Sequence, residues 1–311
     1  MIKTWENYME QSFEERLYTI IDKEKVLKNE PMKRHTTFRI GGPADYFVVP
    51  EHEKEIADVV RLCADQEVPC YIIGNGSNLL VGDKGFRGVI VQIFKTMNHI
   101  RTDGCQITAQ AGCSLAQIAN AALEAGLTGF EFAAGIPGTL GGAVMMNAGA
   151  YGGEMKDVLV TVRVLTKEGK ILNLANEELE LGYRTSIIAK KDYVVLEAVV
   201  GLQPGDKDAI KTRMNELREQ RISKQPLEYP SAGSTFKRPE GYFAGKLIQD
   251  AGLKGFAVGG AQVSEKHSGF VINTGDATAA DVMELIRHVI DKVKEDTGVV
   301  MEPEVKRIGE F

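Results

Sequence analysis

The sequence predicts an α+β fold, and three observations lead to this class. Helical and extended patterns follow one another in mixed order, with several short strands rather than a strict strand–helix alternation. Hydrophobic residues make up 43% of the 311 residues, enough for a core in each of two or three folding units. Glycine is in excess over proline (33 against 10), and 23 of the glycines fall in the tracts 74–88, 126–153 and 233–275. Such tracts allow tight turns and the close approach of a ligand to the backbone.

Helices are predicted where apolar residues recur at helical spacing. The first includes Met9 and runs to residue 21, and a second covers 56–63. A third begins after Ser114, which can cap it, and ends at Gly126. Two more are expected at 207–222 and 278–297.

Strands are predicted where β-branched and aromatic residues form short apolar runs between turn residues. These runs lie at 44–50, 70–73, 88–92, 158–166, 170–174 and 193–202. The segment 203–206, with Pro204 and Gly205, is the clearest linker, because composition changes across it. We therefore expect a domain boundary near residue 204.

Composition excludes several functional classes. A net charge of −6 argues against a general nucleic-acid binder, and the acidic N-terminus contains no apolar targeting segment. The uncharged stretch 132–153 contains seven glycines in 22 residues, too many for a membrane span, a packed helix or a packed sheet. The cysteines lack metal-ligand spacing and are expected to be reduced and mostly buried, as in a cytoplasmic protein: Cys63, Cys70, Cys105 and Cys113.

Charge is nevertheless uneven along the chain. Between Lys211 and Lys246 there are eight basic residues against four glutamates, a local charge of +4 on an acidic protein. A solvated helix face and a local anion site are both consistent with this segment.

The glycine turn after the strand at 70–73 is the first candidate for ligand binding. Gly74-x-Gly76 follows a strand as a dinucleotide fingerprint does, but the third glycine is missing and no helix pattern follows. Backbone N–H groups in such a turn can instead bind an anion, with Asn75, Ser77 and Asn78 as further donors. We also find no nucleophile elbow, zinc-protease motif or histidine ligand spacing.

Several segments resemble those of one flavoenzyme family in the same order along the chain. They are IGNGSNLL at 73–80, GIPG at 135–138, NAGAYG at 147–152, GYRTS at 182–186, KQP at 224–226, AGSTFK at 232–237, AGKLI at 244–248, GGAQVS at 259–264 and EPEV at 302–305. The family is that of UDP-N-acetylenolpyruvoylglucosamine reductase, which has a vanillyl-alcohol-oxidase/PCMH-type FAD-binding fold. The resemblance covers about residues 34–310.

The resemblance implies a domain organisation. A helical segment at 1–33 precedes an FAD-binding domain of two α/β subdomains at 34–203, divided near 69–100. A C-terminal α+β substrate-binding domain follows at 204–311.

The resemblance also implies a reaction and its partners. NADPH reduces a non-covalently bound FAD, and the flavin passes hydride to the enolpyruvyl group of UDP-N-acetylglucosamine-enolpyruvate. The product, UDP-N-acetylmuramate, serves peptidoglycan synthesis. We expect a cytoplasmic monomer without nucleic-acid or membrane partners.

Three catalytic residues follow from matching the family's motifs. Arg184 would engage the substrate carboxylate next to the developing carbanion. Ser234 would donate the proton, with Lys224 or Lys237 as the cation that makes its hydroxyl a better acid. Glu304 would steady the intermediate as an acid, through water or by its charge. Glu302 is its close neighbour in the same motif, and the choice between the two rests on the motif alone.

The same matching assigns the binding residues. The cofactor set is Ile73, Gly74, Asn75, Gly76, Ser77, Asn78, Gly135, Gly138, Thr139, Gly142, Asn147, Gly149 and Ala150. The substrate set is Lys224, Arg221, Lys237 and Arg238. Only 50 residues separate Arg184 from Ser234, so the chain resembles the shorter branch of the family, which lacks an inserted tyrosine loop.

Two other functions remain open at this stage. Another FAD oxidoreductase of the same fold, such as an oxidase, would keep the glycine tracts without needing the three catalytic residues together. A non-catalytic nucleotide-sugar-binding protein would lack flavin altogether. A flavin spectrum and an assay with the enolpyruvyl substrate separate these alternatives.

Overall fold

A computed structural model describes residues 12–311 as two compact units. The first unit comprises residues 12–28, 46–74 and 88–218, and the second comprises 29–45, 75–87 and 219–311. Each unit has its own hydrophobic core. The domain limits 1–33, 34–203 and 204–311 stay a prediction, and Met9 lies outside the described residues.

Helices and strands alternate irregularly along the described chain. The helices are α1 (Phe13–Ile20), α2 (Glu53–Asp65), α3 (Leu115–Ala125), α4 (Leu140–Met145), α5 (Ile187–Lys191), α6 (Lys207–Lys224), α7 (Ala244–Asp250) and α8 (Ala279–Thr297). The strands are β1 (Val26–Pro31), β2 (Pro43–Val48), β3 (Cys70–Ile73), β4 (Leu79–Val81), β5 (Phe86–Gln92), β6 (Ile100–Asp103), β7 (Gln106–Gln110), β8 (Leu127–Thr128), β9 (Gly149–Ala150), β10 (Gly153–Glu154), β11 (Leu159–Leu165), β12 (Ile171–Ala175), β13 (Val194–Gly201), β14 (Gln203–Pro204), β15 (Ser231–Ser234), β16 (Ala257–Val258), β17 (Ala261–Val263), β18 (Phe270–Asn273) and β19 (Lys306–Ile308).

The first unit is built on a five-stranded antiparallel sheet of order β12-β11-β13-β7-β6. Val162 pairs with Ala198, which pairs with Ala109 on the next strand, and all three side chains are buried. Apolar side chains at every second position therefore turn one face of this sheet toward the core. Helix α4 packs against β13 and β7.

Helix α3 in this unit begins and ends where the sequence predicts. The Ser114 hydroxyl accepts a hydrogen bond from the Gln117 N–H at 3.2 Å, and the Gln117 side chain accepts one from the Ser114 N–H at 2.8 Å. This reciprocal capping box satisfies two N–H groups that the first helical turn leaves without partners. Gly126 ends the helix at φ 68°, a left-handed conformation that costs glycine little.

The second unit contains a four-stranded antiparallel sheet of order β15-β18-β17-β16, with α8 packed against β16 and β17. Thr278 caps α8, as the predicted helix at 278–297 requires. The Asp83 carboxylate also accepts hydrogen bonds from the N–H groups of Ala279 (2.8 Å) and Ala280 (2.9 Å). A negative charge is favourable there, because a helix N-terminus carries partial positive charge.

The expectation that 132–153 forms no packed helix is wrong for residues 140–145. Helix α4 occupies them, with Leu140, Ala143 and Val144 buried. A Cβ at Gly141 would lie 3.1 Å from the Ala111 Cβ, so this glycine lets the helix approach its neighbour closely. Glycine therefore serves packing here, which composition alone does not reveal.

The four cysteines are free thiols, as expected, but only Cys63 and Cys113 are buried, whereas Cys105 is exposed. Burial raises the pKa of Cys113 to about 11, which keeps it in the thiol form at neutral pH. Across residues 12–311, no helix is long and apolar enough to cross a bilayer. The same residues contain no cluster of acidic, histidine or cysteine side chains arranged to hold a metal ion.

Candidate functional site

Gly74 and Thr139, two predicted cofactor residues, lie against each other in the first unit. Gly74 follows β3 directly, and a Cβ built on it would lie 2.1 Å from the Thr139 Oγ1. Gly142, one turn along α4, presents an exposed backbone, and its nearest neighbour is the same Oγ1 at 3.7 Å from a built Cβ. The structure thus brings together three members of the predicted cofactor set, with Gly74 packed against the buried Thr139 side chain and Gly142 exposed beside it.

Residues 75–78 belong to the second unit, where Gly76 is buried and adopts φ +61°. The Asn78 amide donates to the Glu304 carbonyl oxygen at 3.4 Å, and the Lys306 N–H donates to the Asn78 carbonyl at 3.0 Å. A predicted cofactor residue therefore contacts the backbone of a predicted catalytic residue.

The tract from 135 to 150 contains the remaining cofactor candidates. Gly135 is exposed, and Gly138 accepts a hydrogen bond from the Leu115 N–H at 3.2 Å. Gly149 and Ala150 form β9, which pairs with β10 through a two-residue turn. Ile73, by contrast, is buried at the end of β3, so its side chain serves the core.

Asn147, a further cofactor candidate, is 2% exposed and makes three side-chain hydrogen bonds. Its Nδ2 donates to the Glu154 carboxylate at 3.0 Å and to the Gly182 carbonyl at 3.2 Å. Its Oδ1 accepts from the Lys156 N–H at 2.9 Å. Both amide hydrogens are therefore used within the chain.

Arg184 lies in a four-residue turn of the first unit. Gly182 and Thr185 exchange backbone hydrogen bonds of 3.2 and 3.3 Å across it. Arg184 has φ +56°, a left-handed conformation that costs a non-glycine residue about 1–2 kcal/mol. Its guanidinium lies over the exposed ring of Tyr183, 5.3 Å from the centroid. Strain of this kind persists only where the surrounding structure holds it.

Ser234 and Glu304 are brought close through their neighbour Thr235 in the second unit. Ser234 is the exposed last residue of β15. It pairs with Phe270 of β18 after a shift in the register of the two strands. The Glu304 N–H donates to the Thr235 carbonyl at 2.7 Å, while the Thr235 N–H donates to the Gly269 carbonyl at 2.8 Å. Within the described part of the chain, the Ser234 hydroxyl makes no hydrogen bond. Its neighbour Thr235 is held by these backbone bonds and by its hydroxyl, which accepts from the Val271 N–H at 3.0 Å, while Ser234 itself is exposed.

Lys237 is held by Glu302 rather than by Ser234. Its N–H donates to the Glu302 carbonyl at 2.8 Å, and its ammonium donates to the Glu302 carboxylate at 2.9 Å. This charged hydrogen bond lowers the pKa of Glu302 below its ordinary value. Of the two glutamates in the motif, Glu302 is therefore committed to an exposed ion pair.

The other substrate candidates lie at the end of α6 and after β15. Arg221 and Lys224 are in the last turn of α6, and Lys224 is exposed. No hydrogen bond or ion pair joins Lys224 to Ser234 among residues 12–311. The Arg238 guanidinium stacks on the Phe243 ring, 4.0 Å from its centroid, and its Nε donates to the Tyr242 carbonyl at 3.1 Å.

Two further side chains around these sites have no role among the residues predicted from the sequence. Phe243, 63% exposed, supports Arg238 from five residues downstream, and no sequence pattern indicates that contact. Ser186 is fully buried and caps α5, accepting from the Ala189 N–H at 3.2 Å. A serine before a short apolar run is an N-cap signal and could have identified it.

Comparison with known proteins identifies two family profiles. Residues 44–175 match an FAD binding domain, and residues 225–308 match the C-terminal domain of UDP-N-acetylenolpyruvoylglucosamine reductase. The UDP-N-acetylenolpyruvoylglucosamine reductase of Caldanaerobacter subterraneus subsp. tengcongensis is 54% identical over 95% of this chain and 98% of its own. That of Clostridium perfringens is 55% identical over 97% of this chain and 98% of its own.

Solved structures agree with these matches. The UDP-N-acetylenolpyruvylglucosamine reductase of Thermus caldophilus has a TM-score of 0.79 at 36% identity, covering 91% of this chain and 98% of its own. The glucose dehydrogenase Phl p 4.0202 shares the fold alone, with a TM-score of 0.50 at 11% identity over 94% of this chain and 60% of its own. The predicted α+β class, with a vanillyl-alcohol-oxidase/PCMH-type FAD-binding fold and a C-terminal α+β domain, is confirmed.

Proposed function

Since the chain belongs to the UDP-N-acetylenolpyruvoylglucosamine reductase family, we propose that it reduces UDP-N-acetylglucosamine-enolpyruvate to UDP-N-acetylmuramate with FAD as cofactor and NADPH as reductant. The family and the FAD binding domain make it a flavin-dependent oxidoreductase. The observation that carries the proposed reaction is the backbone link from Ser234 through Thr235 to Glu304 in the family's C-terminal domain. We further propose a cytoplasmic monomer that supplies peptidoglycan synthesis.

The residues present fit FAD. Gly142 presents exposed backbone, against which a flat or charged group can lie, and Gly74 packs closely on Thr139 beside it. The turn at 74–78 offers N–H groups and short polar side chains suited to a pyrophosphate. Gly135, Gly138, Gly149 and Ala150 would add backbone along the ring system, whereas the Asn147 amide is already bonded within the chain. When bound, FAD supplies the hydride that the substrate receives.

Arg184 is assigned to the substrate carboxylate. Hydride addition at the terminal vinyl carbon leaves negative charge on the neighbouring carbon, which is conjugated with that carboxylate. A guanidinium with two parallel donors stabilises this species, which carries one more negative charge, more than it stabilises the carboxylate of the unreduced substrate. The turn at 182–185 holds the Arg184 backbone in one conformation, so its donors need little reorganisation.

Ser234 is assigned to the proton transfer that completes the reaction. Its hydroxyl is exposed and makes no hydrogen bond within residues 12–311, so it is available to a substrate. The proton passes from the Ser234 oxygen to the carbanionic carbon, and the resulting alkoxide regains a proton from solvent. Glu304 is assigned to assist through its charge or a water molecule, and the bond from its N–H to the carbonyl of Thr235, the residue after Ser234, supports this assignment.

Lys224, Arg221, Lys237 and Arg238 are assigned to the substrate's diphosphate. All four belong to the segment of local charge +4 and to the second unit. Arg238 is held by the bond from its Nε to the Tyr242 carbonyl and by the stacking of its guanidinium face on Phe243. Lys237 is neutralised by Glu302 and contributes less net charge.

Two measurements test this function. Purified protein should be yellow, with flavin that stays with the protein on dialysis and separates from it on denaturation. Added UDP-N-acetylglucosamine-enolpyruvate should accelerate NADPH oxidation and yield UDP-N-acetylmuramate. Yellow protein that oxidises NADPH only with oxygen would indicate a different FAD oxidoreductase, and colourless protein that takes up no FAD would indicate a binding protein.

A further inference from the structure

Two buried side chains connect the Arg184 turn to the end of helix α4. The Asn147 Nδ2 donates to the carbonyl of Gly182, the first residue of the turn. The Ser186 Oγ, directly after the turn, donates to the Met145 carbonyl at 2.6 Å. The turn is therefore attached on both sides of Arg184 to the segment 145–147.

The Gly182 carbonyl uses both of its lone pairs in this arrangement. One accepts from the Thr185 N–H, which closes the turn, and the other accepts from Asn147. The Asn147 amide is itself fixed by Glu154 and by the Lys156 N–H. Its geometry is thus determined from three directions, and it cannot rotate without losing buried hydrogen bonds.

The attachment matters because Arg184 has φ +56°, where a non-glycine residue is strained. Without its anchors the turn can relax toward ordinary backbone conformations, and the guanidinium would leave its place over Tyr183. Helix α4 also begins directly after Thr139 and contains Gly142, both proposed to contact the cofactor. One short helix therefore positions both the proposed cofactor contacts and the segment to which the Arg184 turn is attached.

We propose that Asn147 and Ser186 are positioning residues that hold Arg184 in its reactive conformation. This role rests on the function proposed above for Arg184, and for Asn147 it replaces direct contact between its amide and FAD. Neither side chain touches the substrate, and both act through the turn at 182–185.

The test compares Asn147→Ala and Ser186→Ala with Asn176→Ala. Asn176 is a matched control, because its amide also bonds two backbone carbonyls, those of Lys156 and Leu159 at 2.8 Å, but not the turn. Hydrogen–deuterium exchange of the 182–186 amides reads the turn directly and needs no substrate. We expect faster exchange there in both test variants and unchanged exchange in the control. Unchanged exchange in both test variants contradicts the proposal whatever the enzyme's substrate is.

Single-turnover kinetics then connect the turn to chemistry. Reoxidation of the reduced flavin by the enolpyruvyl substrate should slow by about 10²-fold in Asn147→Ala, with flavin affinity and reduction by NADPH unchanged. Rescue is not expected from higher substrate concentration, because the loss lies in kcat rather than in KM.

A double-mutant cycle separates positioning from other roles. In an Arg184→Ala background, Asn147→Ala should change reoxidation by less than about twofold, since its effect passes through Arg184. An equal loss in both backgrounds would overturn the proposal. So would loss of flavin affinity in Asn147→Ala with an unaltered turn, which would make Asn147 a cofactor residue. If Asn147→Ala does not fold, Ser186→Ala carries the same comparison.

Discussion

The turn that carries Arg184 and the strand end that carries Ser234 differ in how they hold their functional residues. Arg184 is in a left-handed conformation, and buried side chains attach its turn on both sides. Ser234 is the exposed last residue of β15, and its neighbour Thr235 is held by backbone hydrogen bonds and by its hydroxyl, which accepts from the Val271 N–H at 3.0 Å.

This difference follows from what each group is proposed to do. A guanidinium stabilises developing charge only if its donors are oriented beforehand, so its backbone must be rigid. A hydroxyl that donates and regains a proton needs access to solvent and freedom to rotate. In this proposal, the Arg184 turn orients a charge-stabilising group, and the Ser234 strand end exchanges a proton with solvent.

The largest effect is expected from removing the proton donor. Ser234→Ala should slow reoxidation of the reduced flavin by roughly 10²–10⁴-fold, the usual contribution of a positioned acid. Reduction by NADPH should stay within about twofold of wild type. Stopped-flow absorbance of the two half-reactions measures both rates. Equally fast reoxidation in the variant would remove Ser234 from the mechanism.

Replacing Arg184 by lysine tests the importance of oriented donors. Lysine keeps the positive charge but has no planar fork, so we expect Arg184→Lys to slow reoxidation by roughly 10²-fold. Flavin content and thermal unfolding should change little, because the side chain is partly exposed. A lysine variant with wild-type kinetics would show that charge alone suffices.

The two glutamates of the motif allow a matched comparison. Glu304→Gln should slow reoxidation by about tenfold or more, as expected for losing an assisting charge. Glu302→Gln should leave that rate nearly unchanged, because its carboxylate is exposed and paired with Lys237. The two rates, measured under identical conditions, decide between the residues. The reverse order would assign the role to Glu302.

The smallest effect concerns the loop that supports Thr235. His267 Nδ1 accepts from the Gly269 N–H at 3.1 Å, and the Gly269 carbonyl binds Thr235. Burial lowers the pKa of His267 below its ordinary 6.5. The contribution of neutral His267 to the free energy of unfolding is therefore fully present above about pH 6.5. It declines as the pH falls below that value, since the unfolded state takes up the proton first. His267→Asn keeps an acceptor that does not titrate.

Urea unfolding at pH 7.5 and 5.5 measures this contribution. The wild type should lose more free energy of unfolding between the two pH values than His267→Asn does. Equal losses in the two proteins would mean that His267 does not titrate in this range.

Elements with strong local signals were predictable from the sequence. Helix α3 lies where Ser114 and Gly126 predict it, because they satisfy its ends locally, and helix α8 lies within the predicted 278–297 because its apolar residues recur at helical spacing. Helix α4 was missed because Gly141 serves a close contact with Ala111, which lies about 30 residues away in the chain. Contacts of that range leave no local pattern.

The candidate site was predictable as motifs but not as geometry. Arg184, Ser234 and Glu304 were identified by resemblance, yet neither the strained φ of Arg184 nor the ion pair of Lys237 is visible in the motifs. Asn147 shows the limit most clearly. Its motif suggests a cofactor residue, whereas its hydrogen bonds lead to Gly182.

The central claim is tested most directly by one anaerobic turnover. Protein whose flavin has been reduced with one equivalent of NADPH is mixed with UDP-N-acetylglucosamine-enolpyruvate in the absence of oxygen. We predict return of the oxidised flavin spectrum and one equivalent of UDP-N-acetylmuramate per flavin. Flavin that stays reduced until oxygen is admitted would contradict the account.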